Sequence, residues 1–243
     1  MNPAGLLSGL GDVFFPPRCV HCHGLVEESG YRHVCARCAR QIEPVRPPHC
    51  TVCGYPFFGV VAEAGRACPQ CAALEPAFQA GCTAVLLRGP ARSLVLELKY
   101  HGGRHVLGDM EAIFRRSPAL LGHARDAVLV PVPLHPRKQR ERGYNQSALL
   151  ASALARAAGG STRIQSLLCR VVDTPTQTAF DRRDRAANLK NAFALRRPGS
   201  LNRSLRYILV DDVFTTGSTL NGCARVLRRA GCLNLAVATF GHG

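Results

Sequence analysis

Long hydrophobic runs are absent from this sequence of 243 residues, and none approaches the roughly 20 residues that a membrane-spanning helix requires. The first residues, MNPAGLLSGLGDVFFPP, lack the basic segment of a secretory signal and carry Asp12 among their apolar positions. We therefore expect neither a membrane span nor a signal peptide, but a short amphipathic helix that packs on the body of the protein. A cytoplasmic location, where cysteines stay reduced, is the default expectation.

Acidic residues are also few, because 16 aspartates and glutamates stand against 31 lysines and arginines, which gives a formal net charge of +15. Residues 1–80 are balanced, with six arginines against six acids, so the whole excess lies in residues 81–243. This distribution indicates that the later part of the chain meets an anionic partner. The 47% hydrophobic content predicts a globular protein, and the length suits one ordinary domain plus a small module.

Cysteine, by contrast, is abundant, and eight of the twelve cysteines form four CxxC pairs. A CxxC turn places two thiolates at two corners of a tetrahedron, and a second CxxC can supply the other two. The sequence therefore predicts two zinc ribbons, each with a structural Zn2+ site, although spacing alone also permits a crossed pairing. The expected ligand sets are Cys19, Cys22, Cys35 and Cys38 for one site, and Cys50, Cys53, Cys68 and Cys71 for the other.

Two further groups of residues bear on this interpretation. Four histidines beside the cysteines could each replace one as a ligand, although we expect them to face solvent: His21, His23, His33 and His49. The other four cysteines lie in apolar contexts and are expected to be small core residues: Cys82, Cys169, Cys223 and Cys232. A thioredoxin-like redox role is disfavoured, because no βαβ pattern surrounds the CxxC pairs.

The composition changes near residue 78. Cys, Pro, His and Gly dominate before it, whereas apolar segments alternate with segments rich in Ala, Leu and Arg after it. This alternation is typical of a mostly parallel α/β sheet, so we divide the chain into a zinc module at 1–78 and an α/β domain at 79–243. Strands are predicted at 82–88, 127–132, 206–210 and 233–240, and helices near 90–100, 105–116, 145–158 and 218–230.

The stretch YILVDDVFTTGST (207–219) places two adjacent carboxylates after an apolar strand and before a loop of hydroxyls and glycine that opens a helix. The backbone amides of such a loop converge on an anion at the helix N-terminus. The acids, at the carboxyl end of the strand, can accept hydrogen bonds from vicinal ribose hydroxyls. Because this edge of an open α/β sheet normally binds ligand, the stretch predicts a site for a phosphate and a sugar.

This stretch resembles the phosphoribosyl pyrophosphate (PRPP) signature of type I phosphoribosyltransferases, in which an apolar strand, two acids and an apolar pair precede T-T-G-S-T. The resemblance implies the fold of that family, with Asp211 and Asp212 holding the ribose 2′ and 3′ hydroxyls. It also implies that the 5-phosphate lies in the loop formed by Thr215, Thr216, Gly217, Ser218 and Thr219. In LELKYHGG (96–103), Lys99 stands where the family carries a pyrophosphate-binding loop, so it is the candidate contact to the β-phosphate.

Two further segments extend the resemblance to nearly the whole chain. VPVPLHPRKQRERGYNQ (130–146) and TPTQTAFDRRDRAANLKNAF (174–193), with the CxxC module in front, resemble the ComF family, a double zinc ribbon fused to a phosphoribosyltransferase domain. The second segment resembles the mobile loop that closes over PRPP, although its arginines could equally form a solvated helical face. The expected loop or anion contacts are Arg142, Tyr144, Asn145, Gln146, Gln177 and Arg185.

The resemblance implies a protein that binds PRPP and displaces its Mg2+-bound pyrophosphate from ribose C1 with a nitrogen nucleophile. This chemistry needs positioning, charge neutralisation and exclusion of water, so no catalytic triad is expected and no catalytic residue is assigned. A PRPP-sensing protein that binds without transfer is an alternative.

Single-stranded DNA handling is a second hypothesis. ComF relatives are associated with DNA uptake in natural transformation, so single-stranded DNA and DNA-uptake or recombination proteins become candidate partners. A basic cluster precedes Tyr144, which could stack on a base; the cluster consists of Arg137, Lys138, Arg140 and Arg142. The same cluster could instead neutralise the phosphates of PRPP, and the sequence favours neither interpretation.

Overall fold

The computed structural model describes residues 16–57, 68–171, 192–197, 199 and 201–243. The expected N-terminal helix lies outside the described residues, as do Gln177 and Arg185 of the expected mobile loop. Within the described ranges, no helix combines the length and the apolar character needed to cross a membrane.

Helices and strands alternate after the cysteine-rich part of the chain. The helices are α1 (Ala36–Ala39), α2 (Pro69–Leu74), α3 (Gly89–Tyr100), α4 (Leu107–Arg115), α5 (Pro118–Ala124), α6 (Pro136–Arg142), α7 (Gln146–Ala158) and α8 (Ser218–Arg229), with a 3-10 turn at Arg104–Val106. The strands are β1 (Ala80–Leu86), β2 (Val128–Pro131), β3 (Arg163–Ile164), β4 (Leu168–Arg170), β5 (Phe193–Leu195), β6 (Tyr207–Phe214) and β7 (Leu235–His242).

Five strands form one parallel sheet in the order β1–β7–β6–β2–β3, which confirms the predicted α/β class. The chain runs from β2 to β3 on one side and from β6 to β7 on the other, so the strand order reverses between β2 and β6. Open α/β sheets bind ligands in the crevice at such a reversal, outside the carboxyl ends of the strands. Strands β4 and β5 form a separate antiparallel pair.

Strand β6 is longer than the predicted 206–210. It continues to Phe214 because β7 continues beside it, pairing Asp211 with Thr239 and Phe214 with His242. The two acids of the PRPP-like stretch therefore lie inside the strand, close to its carboxyl end. Backbone pairing with β7 fixes the orientation of the two acidic side chains more firmly than a loop would.

The two faces of the sheet bury two separate core clusters. Along β6, Ile208 and Val210 face the cluster formed with α3, α4, α5 and α7, whereas Tyr207 and Leu209 face the cluster formed with α8. This alternation follows the two-residue period of a strand. Cysteines of the first CxxC set belong to the former cluster and those of the second set to the latter. Each cysteine-rich ribbon therefore packs on a different side of the sheet.

Candidate ligand pocket and metal centres

The eight CxxC cysteines form two four-cysteine clusters, and the sulfur atoms of each cluster lie within 4.8 Å of one another. The clusters are Cys19, Cys22, Cys35 and Cys38, and Cys50, Cys53, Cys68 and Cys71. The pairing that spacing left open is therefore the uncrossed one. In the described part of the chain, neither cluster includes a histidine nitrogen.

The geometry of both clusters fits zinc. Tetrahedral zinc with Zn–S bonds of about 2.3 Å places its sulfurs about 3.8 Å apart. The Sγ–Sγ distance is 3.7 Å between Cys22 and Cys35, and 3.8 Å between Cys50 and Cys71. The backbone N–H of Gly24 lowers the pKa of Cys22 to about 6, whereas burial raises the pKa of Cys38 and Cys53 well above its usual range. The zinc assignment therefore follows from the four-sulfur geometry and not from the acidity of the single thiols. The chain therefore carries two zinc sites, each built from four cysteines.

A cavity of about 720 Å³ opens at the reversal between β2 and β6. Its walls come from the end of α3, the segment after β2, α6, the start of α7, the end of β6 and the loop that follows. The predicted site residues that line the cavity are Lys99, Arg142, Gln146, Asp211, Asp212, Thr215 and Thr219. The fold thus brings together residues that are far apart in the sequence.

The acid pair is held by a cation and a hydroxyl. Lys99 Nζ lies 2.8 Å from Asp212 Oδ1, and Ser147 Oγ donates to Asp211 Oδ1 at 2.9 Å. Burial and the neighbouring Asp212 carboxylate raise the pKa of Asp211 to about 7, against the opposing effect of Lys99. Lys99 therefore offsets only part of the repulsion between the two acids, while its ion pair with Asp212 and the Ser147 hydrogen bond to Asp211 fix the direction of one oxygen of each acid.

One carboxylate oxygen of the acid pair is buried without a hydrogen bond in the described part of the chain. Asp212 is only 4% exposed, and its Oδ2 atom has no hydrogen-bond partner among the described residues. Buried polar atoms are normally paired, by protein or by a bound group. A sugar hydroxyl or a divalent cation in the cavity would supply that pairing, and the carboxylate fits either.

Residues 215–219, called the anion loop below, connect β6 to the N-terminus of α8. Gly217 has φ +72°, and a Cβ there would lie 2.5 Å from Phe214 Cζ and 2.7 Å from Leu74 Cδ2. Any other residue at this position would push the loop away from its neighbours. The glycine therefore keeps the loop amides at the start of α8, where the helix dipole favours an anion.

Helix α6 divides the basic cluster between two faces. Lys138 and Arg142, one turn apart, line the cavity, whereas Arg137 and Arg140 are exposed. This helix was not predicted from the sequence, because PRKQRER lacks an apolar period. Pro136 at its first turn and the left-handed Gly143 at its end were the available signals.

Two residues that were expected to contact the anionic ligand instead form contacts that stabilise the segment after β2. The buried Tyr144 donates its hydroxyl to the Leu98 carbonyl at 2.5 Å, and Arg104 covers its ring at 4.8 Å. Asn145 caps α7 by accepting from the Ser147 N–H at 3.0 Å, and its amide donates to the Val132 carbonyl. These contacts hold α3, α7 and β2 together beside the cavity.

The residues that line the cavity without having been predicted from the sequence include three polar side chains beside the predicted ones: Tyr100, Ser147 and Arg170. Tyr100 is 67% exposed, with the Arg142 guanidinium 5.7 Å from its ring. Ser147 directly follows the RGYNQ segment, so its position beside the acids could have been considered. Arg170 lies on the short strand β4, and no pattern in the sequence indicates that β4 borders the cavity.

Comparisons with known proteins bear on the zinc module and on the family of the chain. Residues 10–72 match the family model of the double zinc ribbon domain. The chain is 32% identical to competence protein F of Haemophilus influenzae over 92% of its own length and 96% of that protein. The chain belongs to the ComF family. Other ComF relatives include DNA utilization protein YhgH of Salmonella typhimurium, 34% identical over 86% of this chain and 88% of that protein. Competence protein ComFC of Bacillus subtilis is 23% identical, over 82% of this chain and 79% of that protein.

Proposed function

We propose that this ComF protein binds PRPP with Mg2+ in the cavity between β2 and β6. The observation that carries the proposal is the acid pair, with its Lys99 partner, beside the anion loop. The Asp211 and Asp212 oxygens suit vicinal ribose hydroxyls, and the loop amides suit the 5-phosphate. Lys99 lies within reach of the acids and suits the pyrophosphate of the same ligand.

The charge of the cavity supports this ligand. Four cations line it, and three acids oppose them; the cations are Lys99, Lys138, Arg142 and Arg170, and the acids are Glu141, Asp211 and Asp212. The cationic excess is one charge (four minus three), and a bound Mg2+ would add two more, which together suit a ligand with several phosphates. Mg2+ prefers oxygen ligands and commonly binds through one or two carboxylates plus substrate phosphates, so the acid pair suits that ion as well.

The reaction we propose is transfer of the phosphoribosyl group to a nitrogen nucleophile. A C–N bond forms at ribose C1 while the bond from C1 to the pyrophosphate oxygen breaks, and pyrophosphate leaves with the electron pair. The chain contributes positioning, neutralisation of the leaving group and exclusion of water. Regulatory binding of PRPP without transfer is the alternative for the same cavity.

We further propose that the protein acts in DNA uptake or use, with DNA or DNA-handling proteins as partners. The support comes from its relatives, which are named for competence and for DNA utilization. The net charge of +15 and the exposed face of α6 suit a polyanion. In this proposal residues 1–78 form the zinc module, and residues 79–243 bind the phosphoribosyl ligand.

Pyrophosphate release tests whether the protein is an enzyme. Purified protein is incubated with PRPP, Mg2+ and a panel of nitrogen bases, and released pyrophosphate is measured. We expect release that depends on one class of base and falls to background in the Asp211→Asn variant. PRPP binding without release under any base would favour the regulatory alternative. The absence of both binding and release would remove the proposal.

A further inference from the structure

The second zinc ribbon is bonded to the helix that begins at the anion loop. Helix α2 carries the zinc ligand Cys71 and ends at Leu74, followed by Glu75 in a left-handed conformation. The last carbonyls of a helix lack partners within the helix. Here Asn221 of α8 supplies them, because its Nδ2 donates to the Leu74 carbonyl at 2.9 Å and to the Glu75 carbonyl at 3.3 Å.

Asn221 is also bonded to the anion loop. Its backbone N–H donates to the Gly217 carbonyl at 2.8 Å, and its Oδ1 accepts from the Ala77 N–H at 2.8 Å. The residue is only 4% exposed. Leu74 packs on the same loop, since a Cβ on Gly217 would lie 2.7 Å from Leu74 Cδ2. The buried Asn221 side chain therefore joins the end of the zinc-bearing helix to the start of α8, and the Leu74 side chain contacts the loop itself.

The first zinc ribbon is anchored elsewhere. The buried Asp109 of α4 accepts from the backbone N–H groups of Arg32 and His33 at 2.8 and 2.7 Å. A ring nitrogen of His21 lies 3.0 Å from Ser93 Oγ on α3. These contacts lie in the other core cluster, on the side of the sheet away from α8. The two metal sites therefore differ in their connection to the anion loop.

We propose that Asn221 is a positioning residue that couples the metal state of the second zinc site to anion binding by residues 215–219. Helix α2 has only six residues, so it depends on the cluster of Cys68 and Cys71 rather than on its own hydrogen bonds. When that cluster loses its metal, the carbonyls that Asn221 binds lose their fixed place. The loop amides then lose their alignment, and affinity for phosphate groups falls. This inference rests on the proposed function.

The test compares PRPP binding by calorimetry, with Mg2+, across matched variants whose zinc content and melting temperature are measured. Asn221→Asp removes the donor to Leu74 and Glu75 while keeping the side-chain shape, and should weaken PRPP binding about tenfold. Because the new carboxylate also repels anions, the uncharged Leu74→Ala variant is measured beside it and should weaken PRPP binding as well. The control is Gln79→Ala, which removes hydrogen bonds to Leu233 and Leu235. Those hydrogen bonds lie at the amino end of β7, so the melting temperature should fall while the affinity for PRPP stays unchanged.

The same comparison is made at the metal sites. Cys71→Ser, in the second site, should weaken PRPP binding at temperatures where the protein stays folded. Cys35→Ser, in the first site, should lower stability with a clearly smaller loss of PRPP affinity, because the first ribbon packs on α3 and α4 rather than on α8. If Asn221→Asp fails to fold, Leu74→Ala replaces it, with a smaller loss of affinity expected. Wild-type affinity in a folded Asn221→Asp or Leu74→Ala variant would overturn the coupling and leave PRPP binding intact. A wild-type protein that binds no PRPP would overturn the proposed function and the coupling with it.

Discussion

His123 holds a neutral imidazole between two fixed partners. Its Nε2–H donates to the Val237 carbonyl at 3.0 Å, and its Nδ1 accepts from Arg206 Nη2 at 3.1 Å. A proton on Nδ1 would face the guanidinium that now donates to it. Burial and the Arg206 charge accordingly lower the pKa of His123 to about 4. The residue therefore stabilises the fold only while its ring is neutral.

The contribution of His123 to stability should be lost between pH 6.5 and about 4, whereas Asp211, whose pKa burial raises to about 7, contributes in the opposite direction over this range. An unfolded histidine titrates near pH 6.5, so below that value the unfolded chain takes up a proton that native His123 does not. The contribution is fully present above pH 6.5 and is lost as the pH falls toward 4. Urea unfolding at several pH values should show a shallower decrease in the His123→Gln variant.

A matched substitution shows whether this effect belongs to the buried ring. His242 is also buried, and desolvation lowers its pKa to about 4, so the decrease should be reduced in His123→Gln without disappearing. His242→Gln should therefore reduce the decrease as well, in the same pH range. An identical pH dependence in the wild type and in His123→Gln would show that Arg206 does not keep this ring neutral.

At the scale of elements, helix α6 presents two cationic faces with different expected partners. The face with Lys138 and Arg142 lines the cavity, and the face with Arg137 and Arg140 is exposed. If the exposed face binds single-stranded DNA, each neutralised phosphate releases condensed counterions. Its two arginines then contribute to the salt dependence of DNA binding, whereas the inner face contributes to PRPP binding.

Two double variants separate these faces. Arg137→Ala with Arg140→Ala should reduce the slope of log affinity for single-stranded DNA against log salt by about 1.4, at about 0.7 for each contact. The same variant should lose little PRPP affinity, because the pair that Arg137 forms with the cavity residue Glu141, at 3.0 Å, is exposed to solvent and weak. Lys138→Ala with Arg142→Ala should weaken PRPP binding instead. Equal loss of PRPP affinity in both double variants would assign the whole cluster to the PRPP site and remove the DNA surface from α6.

The elements that sequence patterns predicted are those whose apolar residues form a continuous run or a clear period. The strand that became β2 was predicted at 127–132 because it is a continuous apolar run, which the sheet buries on both faces. The helix that became α7 was predicted at 145–158 because its apolar residues share one face. Helix α6 buries none of its residues, so its charged sequence carried no such signal. The short strands β3, β4 and β5 were missed for a related reason, since two or three residues cannot establish a period.

Some residues of the candidate site could likewise be predicted from the sequence, and others could not. Asp211, Asp212 and the anion loop could be predicted because one contiguous segment carries both the acids and the amides. The contact of Lys99 with Asp212 spans two distant segments and exists only once α3 and β6 pack together. Arg170 reaches the cavity through the β4–β5 pair, whose place no local pattern indicates. The contacts of Lys99 and Arg170 in the cavity therefore depend on tertiary packing, which local sequence patterns do not specify.

At the scale of the whole molecule, the zinc ribbons are part of the core that supports the cavity. The first ribbon packs in the cluster with α3 and α4, and the second in the cluster with α8. The helix that supplies Lys99 and the helix that begins at the anion loop are thus each backed by a different ribbon. The two metal sites stabilise opposite sides of one ligand pocket.

Calorimetric titration of PRPP in the presence of Mg2+ is the decisive measurement for this pocket. The wild type is compared with Asp211→Asn, Asp212→Asn and the double variant, with Asp126→Asn as a control outside the cavity. We predict that wild-type protein binds PRPP and that each single substitution weakens binding by about 1.5–3 kcal/mol, the scale of a hydrogen bond to a charged group. Asp126→Asn should bind as the wild type does. Unchanged PRPP affinity in the double variant would contradict the assignment of the acid pair to PRPP.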